Sequence, residues 1–190
     1  MKRVLSLVFL LLAAPLAHAE GVDINLSSDA LRGAFQGSLT NIFPRLNGVY
    51  ELGGLTGERE GFNYLQGHAG LLVTGDAGAQ RATVSAGLGG RIAVVDVEQV
   101  TGEVLALGGM VDARLPAFNR IGAIGYLYWA PNASSFGDLT SYLEYAIDGD
   151  YEVLRNASIY LGYRQLRLGA ENAGHFTVDQ GWHLGLRLNF

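Results

Sequence analysis

The chain of 190 residues has no cysteine, so neither a disulfide framework nor thiolate chemistry is available to it. Lysine occurs once, at Lys2, and only four prolines are present. No stretch beyond Ala19 approaches 18 uninterrupted apolar residues, which excludes a transmembrane helix there. Basic charge is also scarce. Beyond Ala19, 11 arginines face 18 acidic residues, a net charge of −7. Nucleic acid is therefore not an expected partner, because phosphate binding needs a basic surface.

What is present begins with a secretory signal. Lys2 and Arg3 form a positive start, an essentially apolar run of 13 residues follows from Val4 to Leu16, and Ala17-His18-Ala19 has the small-x-small form of a cleavage site. Cleavage is expected after Ala19, leaving 171 residues as one barrel domain over 20–190. Export through the Sec route is implied. Glycine, at 27 residues, is about twice its usual share, and many glycines lie inside apolar runs such as "SAGLGGRIAVV" and "LALGGMV".

Beyond the signal the sequence alternates with period 2 rather than 3.6, which marks strands. Candidate strands are 21–28, 30–38, 45–55, 62–75, 80–97, 102–114, 119–130, 138–154, 157–169 and 177–190, broken by turn chemistry at Ser28-Asp29, "TGERE", "GDAGA", "VTG", "PNASSFGD", "RNA" and "ENAG". Val22, Ile24 and Leu26 alternate with Asp23, Asn25 and Ser27. In the last strand Val178, Gln180, Trp182, Leu184, Leu186, Leu188 and Phe190 share one face, opposite Asp179, Gly181, His183, Gly185, Arg187 and Asn189.

A soluble sandwich would alternate too. Three features favour an all-β, closed antiparallel transmembrane barrel. Several strands are much longer than the soluble average of about 5–6 residues and meet the roughly 9–11 a tilted membrane-spanning strand needs. Aromatics gather towards strand ends (Phe62, Tyr64, Tyr126 to Trp129, Tyr142, Tyr145, Trp182 and Phe190), as interfacial girdles would. The small polar face suits a narrow interior. With both ends of the mature chain on the periplasmic side, an even strand number is required. Walking back from the C-terminus uses nine strands, and 21–28 supplies a tenth; eight with merged elements is the alternative.

The residues "VDINLSSDALRG", "GLGGRIAVVDV", "LALGGMV", "LPAFNRIGAIGYLYWAPNASSFGD", "YLEYAIDGDYEVLRNASIYLGYRQLRL" and "HLGLRLNF" together resemble the YfaZ-type outer-membrane proteins of Gram-negative bacteria. The resemblance implies an outer-membrane barrel and brings no catalytic residues with it. The ending is also similar to the β-signal read by the barrel-assembly machinery, with His183 as its polar position, then Gly185, Leu188 and Phe190. An edge of that machinery would pair with the last strand by strand addition. Outer-membrane lipids are the other expected partner.

The candidate chemistry is thin. The histidines beyond the signal are His68, His175 and His183, none in a His-x-Ser pattern, and His175-Phe176-Thr177 falls in an expected loop. Asp148, Asp150 and Glu152 share a strand face but have no evident histidine or further metal ligand nearby. They are expected to pair with interior arginines, Arg91, Arg164 and Arg187 being the candidates, with Glu144 part of the same ladder; an unpaired charge there would be costly. "GLGGRI" lacks the Lys-Ser/Thr and helix of a phosphate loop. No catalytic, cofactor or metal residues are expected. The leading expectation is a non-enzymatic, structural or narrow-pore barrel passing small solutes at most. A lipid acyl hydrolase built on His68 or His183 is the alternative, and an adhesion protein is a third possibility that the short loops disfavour.

Overall fold

The computed structural model describes residues 21–78, 83–98, 100–114, 116–171 and 173–190. The expected signal peptide, its cleavage site and positions 80–82 of the fifth expected strand lie outside these.

The strands are β1 (Gly21–Ser27), β2 (Ala30–Ser38), β3 (Gly48–Arg59), β4 (Phe62–Asp76), β5 (Thr83–Val97), β6 (Val100–Arg114), β7 (Ile121–Ala130), β8 (Ser135–Gly137), β9 (Leu139–Leu154), β10 (Ala157–Ala170) and β11 (Gly174–Asn189). All but the three-residue β8 form one antiparallel meander in which each strand pairs with the next. β1 then pairs with β11 in the register Gly21↔Asn189 to Ser27↔His183, and the sheet closes into a ten-stranded barrel. Closure leaves no edge along these residues, which is how a long sheet avoids edge-to-edge association. β8 lies in the loop after β7 and adds to β6 through Gly102↔Gly137.

The alternation explains the placement of side chains. Asp23 and Asn25 are buried inside, while Ile24 and Leu26 stand on the outer wall. On β11 the outer wall carries Trp182, Leu184 and Leu186, and His183 points inward. Buried charge inside and large exposed apolar side chains outside invert the pattern of a protein made for water.

The structure departs from the alternation in four places. The expected break "TGERE" is mostly strand: β3 continues to Arg59, and the turn is only Glu60-Gly61, both with positive φ (53° and 87°). Such a two-residue turn matches the strands' twist, and its second position suits glycine. β11 begins at Gly174, so His175 is a strand residue rather than a loop residue. Val178 does not share the outer face of Trp182. A bulge where β10 steps from Leu166 to Arg167 against Asp179 and Thr177 turns it inward, where it is completely buried. A second irregularity, at Gly169/Ala170, likewise brings Leu139 inside, out of step with Ile147 on the same strand, which stands on the outer wall.

The girdle expectation also needs correction. Tyr64, Tyr128 and Tyr142 are buried in the interior, and Tyr126 sends its hydroxyl there. Buried tyrosine needs a polar partner, and Tyr64, Tyr126 and Tyr142 find carboxylates inside: Asp179 for Tyr64 and Glu144 for the other two. Trp129, Trp182 and Phe190 do remain outside.

Candidate functional site

The interior divides into two halves along the barrel axis. Towards the end carrying Gly21 and Asn189 it is charged. Towards the far end, where the β3–β4 and β10–β11 turns lie, it is apolar: Leu55, Val95, Val104, Tyr142, Leu166, Leu168 and Val178 pack there with at most 1% exposure.

The charged half is built around Glu51 and Glu144. Arg91 on β5 bridges them, Nη1 donating to Glu144 Oε2 at 2.7 Å and Nη2 to Glu51 Oε1 at 2.8 Å. Its guanidinium carbon lies 3.9 Å from the centroid of the Tyr128 ring, a cation–π contact. Arg32 Nη2 donates to the same Glu51 oxygen at 2.9 Å, and His68 Nε2 approaches it at 2.8 Å. Glu144 also accepts from Tyr126 (3.0 Å), Gln66 (3.3 Å) and Tyr142. A carboxylate with this many donors stays in the interior because its desolvation is offset by charge-assisted bonds.

A second network closes the barrel seam. Arg164 on β10 donates through Nε to Asp179 on β11 (2.6 Å) and through Nη1 to Asn25 on β1 (2.7 Å). Asp23 on β1 accepts from the Tyr160 hydroxyl at 2.5 Å and from Arg187 Nε at 3.0 Å. The bonds to Asn25 and Asp23 tie the first strand to the last two across more than 130 residues of chain. Gly185 on β11 lies under the Tyr160 ring, and any Cβ there would overlap it.

The expected partnerships are thus redistributed. Arg91 meets Glu144 directly, but Arg164 takes Asp179 and Arg187 takes Asp23, two acids outside the expected trio. Asp148 pairs with His183, Nε2 to Oδ1 at 2.9 Å, so a histidine does stand beside it. Asp150 pairs with Arg114 at 3.0 Å. Sequence reasoning passed over Glu51, Arg32, Asp23 and Arg114. Inward placement on alternating strands was their only signal, and the partner of each lies on another strand.

The remaining residues of the expected assembly signal occupy the closing strand. Gly185 and Leu188 pair with both β1 and β10, and Phe190 projects beyond β11 with 80% exposure.

Chemically, His68 and His183 are both held by carboxylates. The one serine–histidine approach found among the described residues is Ser141 Oγ to His175 Nδ1, a long 3.4 Å, on the outer face near the far end. No group of three or more His, Asp or Glu side chains is arranged to hold a metal among the described residues.

Compared with known families, residues 60–190 match the family described as YfaZ precursor. No curated protein matches the chain.

Proposed function

We propose, for a chain that belongs to the YfaZ precursor family, that it is an integral outer-membrane barrel with a structural role and no through-pore. The observation that carries this reading is the inversion of the wall. Leu88, Leu107, Ile147, Leu161 and Leu184 are all more than half exposed on the outside, while Arg91, Glu144 and Arg164 are nearly inaccessible inside. Lipid hydrocarbon is the environment in which such a wall is stable, because a closed barrel satisfies every backbone group internally. The apolar packing of the far half supports the absence of a pore, since side chains fill the cross-section there.

The lack of native cysteine offers a clean test. Glu60→Cys, at a far-end turn, is expected to react in intact cells with a membrane-impermeant maleimide. Arg120→Cys, in the connection before β7, should react only after the outer membrane is opened. Equal labelling of both in intact cells, or recovery of the protein in the soluble fraction, would overturn the placement.

A lipid acyl hydrolase is the second reading, and Ser141 beside His175 is the contact that favours it. The base would deprotonate the serine hydroxyl for attack on an ester. No acid orients His175 among the described hydrogen bonds, so the structural reading stands ahead. Unaltered phospholipid and lipid A profiles on overexpression would remove the enzyme; new lyso-lipid that disappears with Ser141→Ala would establish it.

A further inference from the structure

The outer wall changes character along β9, β10 and β11. Towards the termini it is apolar, with Ile147, Ile159, Leu161, Leu184 and Leu186 exposed. A band of rings and amides comes next. Tyr163 and Trp182 meet edge to face, their centroids 5.8 Å apart. The Tyr145 hydroxyl donates to Gln165 Oε1 at 2.5 Å, and Gln180 Nε2 donates to the Tyr163 hydroxyl at 2.7 Å. Amphipathic rings of this kind settle where hydrocarbon gives way to headgroups. One outward step beyond Gln165, towards the far end, stands Arg167. It is exposed, opposite Leu143 on β9 and Thr177 on β11.

The interior arginines Arg91, Arg164 and Arg187 each hold a carboxylate. Arg167 has neither an ion pair nor a hydrogen bond among the described residues. Its neighbours on the wall are Leu143, Gln165, Gly169 and Thr177, none of them acidic. Gly169 leaves an opening beside it: a Cβ there would lie within 3.0 Å of Ser141 Oγ, Thr140 Oγ1 and His175 Nδ1. Two hydroxyls and an imidazole thus converge one step beyond an unpaired guanidinium. Guanidinium presents paired N–H donors that match phosphate oxygens, and hydroxyls add further donors. In water an exposed arginine needs no partner. On a wall that meets lipid, level with the headgroups, the anions at hand are lipid phosphates. Towards the same end, β5 and β6 carry exposed acids instead, Asp96 and Glu103, which repel such a group.

We infer that β9, β10 and β11 carry a binding site for the phosphate headgroup of a lipid. Arg167 holds the phosphate with help from Ser141 and His175, and the acyl chains lie over Trp182, Leu184 and Ile147. The inference rests on the reading of the outer wall as lipid-facing. A lipid is favoured over free phosphate because the donors and the apolar strip are continuous on the same three strands. The barrel thereby takes anionic lipid on one side and leaves its β5–β6 side to uncharged or zwitterionic lipid.

The chain's two tryptophans, Trp129 and Trp182, supply the test. Trp129→Phe leaves Trp182 as the sole reporter beside the site, and Trp182→Phe leaves Trp129, on β7, as the control. Each barrel is refolded into phosphatidylcholine vesicles containing a small fraction of phosphatidic acid. Either the phosphatidic acid or an equal fraction of the phosphatidylcholine carries bromine on its acyl chains, which quenches nearby tryptophan. Quenching of Trp182 by brominated phosphatidylcholine measures contact between wall and lipid; its absence would refute the membrane reading and the site with it. Given that contact, brominated phosphatidic acid is expected to quench Trp182 more strongly than brominated phosphatidylcholine, and to quench Trp129 no more strongly. Arg167→Gln is expected to lower the preference about fivefold, the effect of one arginine at an anionic surface. Arg167→Lys should keep part of it, and added salt should weaken it. Equal quenching of Trp182 by the two lipids, a preference unchanged in Arg167→Gln, or the same preference at Trp129 would overturn the inference. Loss of the preference on adding inorganic phosphate, at constant ionic strength, would overturn it in favour of a free anion.

Discussion

The two halves of the lumen sit behind the same kind of outer wall and are filled in opposite ways. Near the termini, Arg91, Arg32, Glu51 and Glu144 hold the strands through ion pairs, and the first three line a cavity. Near the far end, Leu55, Val95, Leu166 and Leu168 fill the cross-section as a soluble core would. In the far half the strands are apolar on both faces: Ile92 and Val94 point out while Ala93 and Val95 point in. Apolar packing needs no partner of particular geometry, so it closes tightly. Charged pairs demand specific distances, and they leave space between them.

Substitutions can set one half against the other. The largest effect belongs to Glu144→Ala, which leaves Arg91 short of one carboxylate and the Tyr126 and Tyr142 hydroxyls without their acceptor. Breaking a buried pair from one side costs about 3–5 kcal/mol, to be read as a lower urea midpoint for the barrel refolded in lipid. Leu166→Ala in the far half follows at about 2–5 kcal/mol, the usual range for a fully buried leucine. Gly162→Ala would drive a Cβ into Asp148 Oδ1 and against His183 Nε2. Overpacking of this sort costs about 1–3 kcal/mol, and the His183 ring resonances in NMR should shift with it. Arg59→Gln is the mildest. It is partly exposed and its partner Glu60 is exposed at the far-end turn, and such pairs contribute about 0–1 kcal/mol. A leucine variant costing nothing beside a severe Glu144 loss would mean the far half is not a true core.

Much of the barrel was legible because alternation encodes which face is wet. The ten long strands and the pairing of the first with the last follow from the period-2 pattern and the even strand number. The bulge at Leu166/Arg167 was not legible, because a one-residue slip depends on a neighbouring strand's register. Val178 consequently changed sides. The far-half core was hidden for a related reason. "RIAVVDV" reads the same whether Val95 meets lipid or other side chains. Ion partners were the least readable, since Arg187 and Asp23 lie 164 positions apart and meet only when the sheet closes. Tyr64, Tyr126, Tyr128 and Tyr142 misled as girdle residues because an aromatic ring suits either a membrane interface or a carboxylate-lined interior.

Planar-bilayer recording of the purified, refolded barrel tests the closed far half most directly. Silent membranes are expected from the native protein, with discrete steps appearing only when Leu55, Leu166 and Leu168 are together cut back to alanine. Regular single-channel steps from the native protein would contradict a lumen sealed by its apolar core.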